Sequence, residues 1–308
     1  MTNLKQDYPF TLQFGIVDGC NMNCEFCGMR GRAHEIHYAE VDTVNHLLGM
    51  MSAAGFSGRV RLDLYGEPTL HPGFFEIVQK VHQALPKSHI TLFTNGYGVY
   101  KRGHKIDDYF AAGVGDIIFD VYANNLDDFR ASGVENHPLA CVNSPCVPFF
   151  VKKNRVLINM PIEDQQNIKT RKFVNHCGAG APALTQALCA RCAHPFREFT
   201  VNSWGEIMLC CNDFRGEYLV GNIKDFNTFE EAWNSPRLES ARLRLYHRDR
   251  QFNPCNKCNS KSHRVGLLPD YQGKQELPEA SEENRQITEY PYHSQFIVPK
   301  PRQWEETK

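Results

Sequence analysis

Three cysteines in one short loop constrain this chain more than any other feature. They are Cys20, Cys24 and Cys27, within Gly19-Cys20-Asn21-Met22-Asn23-Cys24-Glu25-Phe26-Cys27-Gly28. The loop follows Thr11-Leu12-Gln13-Phe14-Gly15-Ile16-Val17, an apolar run that reads as a strand. Thiols at spacing x3 and then x2 can converge on one soft metal centre. A cluster of four irons normally takes four cysteines, so three would leave one iron open, as in a catalytic rather than a structural site. On the loop alone, a zinc centre completed by His34 or His37 is the other reading.

The compartment decides how the remaining cysteines are read. No apolar run approaches the roughly 20 residues needed to span a bilayer, and Met1-Thr2-Asn3-Leu4-Lys5-Gln6-Asp7 lacks the apolar core of a signal peptide. A cytoplasmic protein with no membrane partner is therefore expected, where disulfides are rare and twelve cysteines point to metal or redox chemistry. Their grouping agrees, with Cys20/24/27 early and Cys189/192, Cys210/211 and Cys255/258 late. A net charge of −1 gives no reason to expect nucleic acid.

Strand-like runs at residues 12–17, 59–65, 90–93, 117–122, 147–151 and 156–160 alternate with helical patterns at 41–54, 73–85, 106–112 and 125–131. Such alternation predicts an α/β fold with parallel strands. A closed eight-unit barrel takes about 250 residues, so residues 11–160 hold about five or six units and predict an open barrel of partial (β/α)6 type. The alternation stops near residue 167. The expected organisation is an N-terminal extension (1–10), a partial barrel (11–166), a small cysteine-rich α+β domain (167–266) and an extended or disordered tail rich in Pro, Glu and Gln (267–308).

Two short motifs close predicted strands. Tyr65-Gly66-Glu67-Pro68 follows the second and Thr94-Asn95-Gly96 the third, at the strand ends where parallel α/β sheets place ligands. With the cysteine loop and its aromatic Phe26, their order resembles that of the radical S-adenosylmethionine superfamily. The resemblance implies a [4Fe–4S] cluster on Cys20, Cys24 and Cys27 whose open iron is chelated by S-adenosyl-L-methionine. It also implies cosubstrate binding by Phe26, Gly66, Glu67, Pro68, Thr94 and Asn95. Glu67 is the expected partner of the cosubstrate's ammonium, for which a carboxylate or carbonyls are needed. Many members have glycine where this chain has Tyr65.

The distal cysteines form a second pattern. Twelve residues separate Cys192 from Gly205 and four separate Gly205 from Cys210, and Val220-Gly221-Asn222, Ala232-Trp233-Asn234-Ser235 and Cys255-Asn256-Lys257-Cys258 follow. This resembles the SPASM/twitch extension. In its shorter twitch form the resemblance implies one auxiliary [4Fe–4S] cluster on Cys192, Cys210, Cys255 and Cys258. Strand alternation would point only one of Cys210 and Cys211 at the metal, and the family spacing selects Cys210. A zinc ribbon of Cys189, Cys192, Cys255 and Cys258 would leave Cys210 without a role. Cys141, Cys146, Cys177, Cys189 and Cys211 are read as small core hydrophobes, with a second auxiliary ligand set or a substrate thiol as the other reading. Tyr65 and His71 are read as candidate proton-transfer groups, and the Arg-rich stretch 242–250 as a solvated helix face, with contact to a phosphate-bearing substrate as its alternative.

The single-auxiliary-cluster spacing is most similar to that of members of the 2-deoxy-scyllo-inosamine dehydrogenase type. The resemblance implies reductive cleavage of S-adenosylmethionine to a 5′-deoxyadenosyl radical, hydrogen abstraction, and oxidation of a small hydroxylated or amino-bearing substrate with the auxiliary cluster assisting electron transfer. An external one-electron donor such as flavodoxin or ferredoxin follows from that chemistry. Peptide or protein modification, radical isomerisation of an amino-acid-like or nucleoside-type substrate, and a non-enzymatic iron–sulfur or zinc scaffold are the other readings.

Overall fold

The structure, a computed structural model, describes residues 9–142, 154–159, 174–180 and 183–260. The expected strand at 147–151, Cys146, the boundary between 166 and 167, residues 1–8 of the extension and the 267–308 tail lie outside the described residues.

The chain runs β1 (Thr11–Phe14), β2 (Val17–Asp18), β3 (His37–Tyr38), α1 (Val41–Ala53), β4 (Arg59–Arg61), α2 (Phe74–Ala84), β5 (His89–Thr94), α3 (Tyr97–Arg102), α4 (Ile106–Ala112), β6 (Val114–Asp120), α5 (Leu126–Ser132), β7 (Ala140–Val142) and β8 (Arg155–Asn159). It continues with α6 (His194–Arg197), β9 (Glu198–Val201), β10 (Glu206–Met208), β11 (Leu219–Asn222), α7 (Phe229–Trp233) and α8 (Pro236–Tyr246). Every residue of β1 is buried, as in a parallel strand covered on both faces. In α2 the buried Phe74, Ile77, Val78 and Val81 fall on one helical face against the sheet, and its polar residues face out. Thr228 and Glu231 form a capping box that starts α7, which carries the buried Trp233.

One nine-stranded sheet has the order β11-β10-β9-β1-β4-β5-β6-β8-β7. From β9 through β7 neighbouring strands pair in parallel, and β10 pairs antiparallel with both β9 and β11. The β/α succession forms the partial-barrel core. Thr11 stands opposite Glu198, so the cysteine-rich segment adds its strands to the β1 edge of the same sheet. Among the described residues, no helix is long and apolar enough to cross a membrane.

The Arg-rich stretch departs from the solvated face expected of it, because Arg242 and Arg250 are buried. Arg242 donates to the Pro195 and Trp233 carbonyls and lies 3.8 Å over the Trp233 ring. Arg250 donates to the carbonyls of Ala190, Arg191 and Ser260. Two guanidinium forks thus satisfy loop carbonyls that would otherwise be buried without a donor.

The starts of β5, β6 and β8 meet at Asp116. Its carboxylate accepts two 2.7 Å bonds from Arg155 and one of 2.8 Å from His89. Burial would raise the Asp116 pKa, but the hydrogen bonds from His89 and Arg155 outweigh it and hold the group below its ordinary value. A depressed carboxylate stabilises the fold above its unfolded pKa, about 3.9, and that stability is lost as pH falls through the lower folded value. Asp116→Ala leaves Arg155 and His89 uncompensated and should cost about 3–5 kcal/mol in urea denaturation at neutral pH. The difference from wild type should shrink below about pH 4; a pH-independent difference would contradict this role.

Candidate metal centres

The first centre is a loop built on hydrogen bonds to sulfur. Met22 N–H donates to Cys20 Sγ and Met29 N–H to Cys27 Sγ, each at 3.4 Å, and Asn95 Nδ2 lies 3.5 Å from Cys20 Sγ. Burial pushes the Cys20 thiol up to about 12, and Glu67, Cys27 and Cys24 add repulsion. Cys24 rises to about 12 through burial and the neighbouring Cys27. Burial raises Cys27 as well, against Met29 N–H and the Arg32 guanidinium. Burial and mutual proximity thus keep the three thiols neutral without a metal, and a cationic centre that takes them as thiolates would offset that cost. N–H···S bonds of this kind also tune a cluster's potential. The loop fits a [4Fe–4S] cluster. His37 is engaged elsewhere, 2.8 Å from Ser203 Oγ and stacked on Trp204.

Gly66 and Glu67 are bound to this loop by backbone. Gly19 and Gly66 form a parallel bridge, Gly19 N–H donates to the Tyr65 carbonyl, and Glu67 N–H donates to the Gly19 carbonyl. A Cβ on Gly66 would lie 2.1 Å from the Gly19 oxygen, so no larger residue fits. Glu67 is buried, and its carboxylate gathers four donors. Oε1 accepts from Thr69 N–H, Thr69 Oγ1 and Thr94 Oγ1, and Oε2 accepts from Asn95 N–H at 2.8 Å. Burial raises its pKa, opposed by those same hydrogen bonds. Glu67 thus joins the second motif to the third, a role that spacing alone does not indicate. Pro68 begins a single 3₁₀ turn to Leu70 that places Thr69 beneath Glu67. Phe26 packs 5.5 Å from Tyr122.

The distal cysteines converge on a second centre. Cys192, Cys210, Cys255 and Cys258 are all buried. Cys255 is flanked by Cys210, Cys192 and Cys258, and Cys192 by Cys210. Cys177 joins them as a neighbour of Cys210 and Cys258. That contact draws the Cys258 thiol below its ordinary value, against burial and with help from Ser260 N–H and the Arg250 guanidinium. An all-thiol set suits an iron–sulfur cluster. Cys211 turns away, 3.9 Å from His194 Nδ1, which pairs with Glu198 at 2.7 Å. Cys141 and Cys189 are exposed, not core residues. The zinc-ribbon set therefore lacks Cys189, whereas Cys210 has a place among the buried thiols.

Tyr65 links the two centres. Its hydroxyl donates to the Asp213 carbonyl at 2.8 Å and reaches the Cys210 carbonyl at 3.5 Å, and its ring packs on Phe214. Phe214 in turn fills the space a Cβ on Gly28 would need, and its carbonyl accepts from Arg32. His71 is engaged at both ring nitrogens, by the Ala39 carbonyl and Gly73 N–H. The polar atoms of both proton-transfer candidates are thus occupied by backbone partners.

Polar side chains ring the C-terminal strand ends. Asp120 and Asn159, the last residues of β6 and β8, are joined at 2.7 Å. At the end of β4, Arg61 pairs with Asp63 at 2.5 Å and lies 4.3 Å over the Phe93 ring.

Comparison with known proteins agrees with this geometry. Residues 15–138 match the Radical SAM superfamily and residues 192–259 match SPASM, an iron–sulfur cluster-binding domain. The chain is 24% identical over 260 residues to the S-adenosyl-L-methionine-dependent 2-deoxy-scyllo-inosamine dehydrogenase of Niallia circulans, covering 82% of this chain and 93% of that one. It is 30% identical over 157 residues to the GTP 3′,8-cyclase of Actinobacillus pleuropneumoniae serotype 3, covering 50% of this chain and 45% of the relative, so it spans about half that enzyme's length. The solved structure of BtrN in complex with AdoMet and 2-DOIA superimposes with a TM-score of 0.64 at 18% identity, over 83% of this chain and 94% of that one.

Gly66→Ala forces the Gly19 backbone to move. It should destabilise the apo-protein by about 1–3 kcal/mol in urea denaturation and weaken iron loading of the first loop; an unchanged unfolding midpoint would contradict the close approach. Tyr65→Phe removes the side-chain donor to the Asp213 carbonyl, which keeps its bond from Gly216 N–H, and should cost about 0.5–1.5 kcal/mol in the same assay, whereas a neutral effect would sever the proposed link.

Proposed function

The chain belongs to the radical SAM superfamily and carries a SPASM iron–sulfur domain, and on that premise we propose that it oxidises a small hydroxylated or amino-bearing molecule by radical hydrogen abstraction. The observation that carries this reading is the second, wholly thiol-lined centre, joined through Tyr65 to the first. When bound, the first cluster and S-adenosylmethionine supply a 5′-deoxyadenosyl radical, and the auxiliary cluster supplies an acceptor for the electron left on the substrate.

The residues divide the remaining work. Cys20, Cys24 and Cys27 would hold the first cluster, and Cys192, Cys210, Cys255 and Cys258 the auxiliary one. Glu67 holds Thr69, Thr94 and Asn95 in register with the loop. Its Oε2, with one protein donor among the described residues, would accept from the cosubstrate's ammonium. Asn95 Nδ2 steadies both Cys20 Sγ and Asn21 Oδ1, and Phe26 packs against Tyr122. At the strand ends, Arg61, Asp63, Asp120 and Asn159 offer donors and acceptors suited to hydroxyl and amino groups. Fixing the reacting carbon there confers selectivity on a radical that attacks any nearby C–H bond. A one-electron donor such as flavodoxin or ferredoxin is the partner this chemistry requires.

Likeness to the dehydrogenase over most of both chains, against half of the cyclase, favours oxidation over rearrangement. Reduced holoenzyme given S-adenosylmethionine should release 5′-deoxyadenosine, and Cys24→Ala should abolish it. Persistence in the variant would refute the assignment of the first centre. Screened against aminocyclitols and amino sugars, a substrate should return lighter by two hydrogens; a product of unchanged mass would mark the reaction as isomerisation.

A further inference from the structure

Cys177 has no place in the four-cysteine set of a twitch-type centre, yet the fold goes to some length to put it there. The residue is buried, and it lies in a short 3₁₀ turn, His176–Gly178. His176 and Cys177 both adopt left-handed backbone, with φ of 45° and 54°. Neither is glycine, and such backbone is strained for any other residue, so it persists only where the surroundings enforce it. The enforcing contacts are visible. Asn175 is fully buried, and its N–H donates to Asn259 Oδ1 at 2.8 Å while Asn259 N–H donates back to Asn175 Oδ1 at 3.1 Å. Asn175 Nδ2 also donates to the Lys257 carbonyl. These bonds clamp the turn to the residues on either side of Cys258. A small core hydrophobe needs no such clamp, since Ala or Ser in relaxed backbone would fill the same space.

The clamp therefore sets a fifth buried thiol beside Cys258, at a centre where a cubane takes four. Cys177 has two of them, Cys210 and Cys258, as neighbours. We infer that Cys177 is a fifth sulfur donor of the auxiliary centre, placed to ligate iron in exchange for Cys210 or Cys258. The inference rests on the reading that these residues hold an iron–sulfur cluster. The exchange is redox-neutral: one Fe–S bond to Cys177 forms, the bond to Cys210 or Cys258 breaks, and the Cys177 proton passes to the departing sulfur. Spare ligation of this kind lets the centre survive loss or oxidation of one of those two cysteines.

Iron and acid-labile sulfide in the anaerobically reconstituted full chain test this without reference to turnover. Wild type, Cys177→Ala and Cys210→Ala/Cys258→Ala should each hold about eight irons, the last with Cys177, Cys192 and Cys255 as the three thiols of the auxiliary centre, the number that holds the first cluster. The triple Cys177→Ala/Cys210→Ala/Cys258→Ala, left with two thiols there, should fall about twofold, to about four irons on the intact first centre. About four irons in Cys210→Ala/Cys258→Ala, with Cys177 still present, would overturn the proposal, as would about eight in the triple. A chain that fails to fold loses the first centre too and betrays itself by a count near zero; the valine versions of the same variants, which like alanine offer iron no ligand, are then scored identically. Only about four irons in wild type would remove the two-cluster reading itself, an outcome distinct from any pattern among the variants.

Discussion

The approach of Gly66 to Gly19 is the contact on which the first centre depends. A parallel bridge between these glycines puts the segment that follows β4 against the residue that precedes Cys20. Glu67, the next residue, then draws four donors into one buried carboxylate, and those donors come from the turn after it and from the end of β5. Charge-assisted hydrogen bonds are about twice as strong as neutral ones and offset part of the cost of burying the acid, whose pKa still lies above its ordinary value. Three segments separated by tens of residues are thereby held in one geometry before any cofactor arrives. Such preorganisation is what a site needs when it must place a reactive carbon within reach of a radical.

The second centre is tied to the first by side chains, not by backbone. Tyr65 points its hydroxyl at the carbonyls of Asp213 and Cys210 while its own carbonyl accepts from Gly19. Phe214 occupies the space beside Gly28, directly after Cys27. Around the distal cysteines, Arg250 brackets the segments before Cys192 and after Cys258, and Arg242 ties α8 to Pro195 and to Trp233. A guanidinium with five donors can fix several carbonyls at once, which suits a loop-rich region with few strands. The sheet adds rigidity, because β9 extends it from β1.

Much of this was legible in the residues. Thiol spacing indicated the first loop, and alternating apolar runs located strands β5, β6 and β8 and helices α1, α2, α4 and α5 to within a few residues. The order of Gly66-Glu67-Pro68 and Thr94-Asn95-Gly96 marked the correct strand ends. What escaped has physical causes. Helix α3 begins within the Thr94-Asn95-Gly96 turn and is only six residues long, too short for a periodic signal. Arg242 and Arg250 belong to a charged run, and nothing in that run shows that loop carbonyls lie waiting for donors. Tyr65 departs from a family glycine, and only the folded chain shows what it touches. Cys177 lies 15 residues before Cys192 in no recognisable spacing, and it joins the centre through a strained turn clamped by Asn175 and Asn259.

The central claim is that one chain holds two iron–sulfur centres and that only the one at Cys20, Cys24 and Cys27 has an iron free for S-adenosylmethionine. Mössbauer spectroscopy of the ⁵⁷Fe-reconstituted chain, with and without S-adenosylmethionine, tests it most directly. The account predicts about eight irons in two cubanes, with a single iron site shifted on adding S-adenosylmethionine. One cubane alone, perturbation of both clusters, or stoichiometric zinc in place of iron would contradict it.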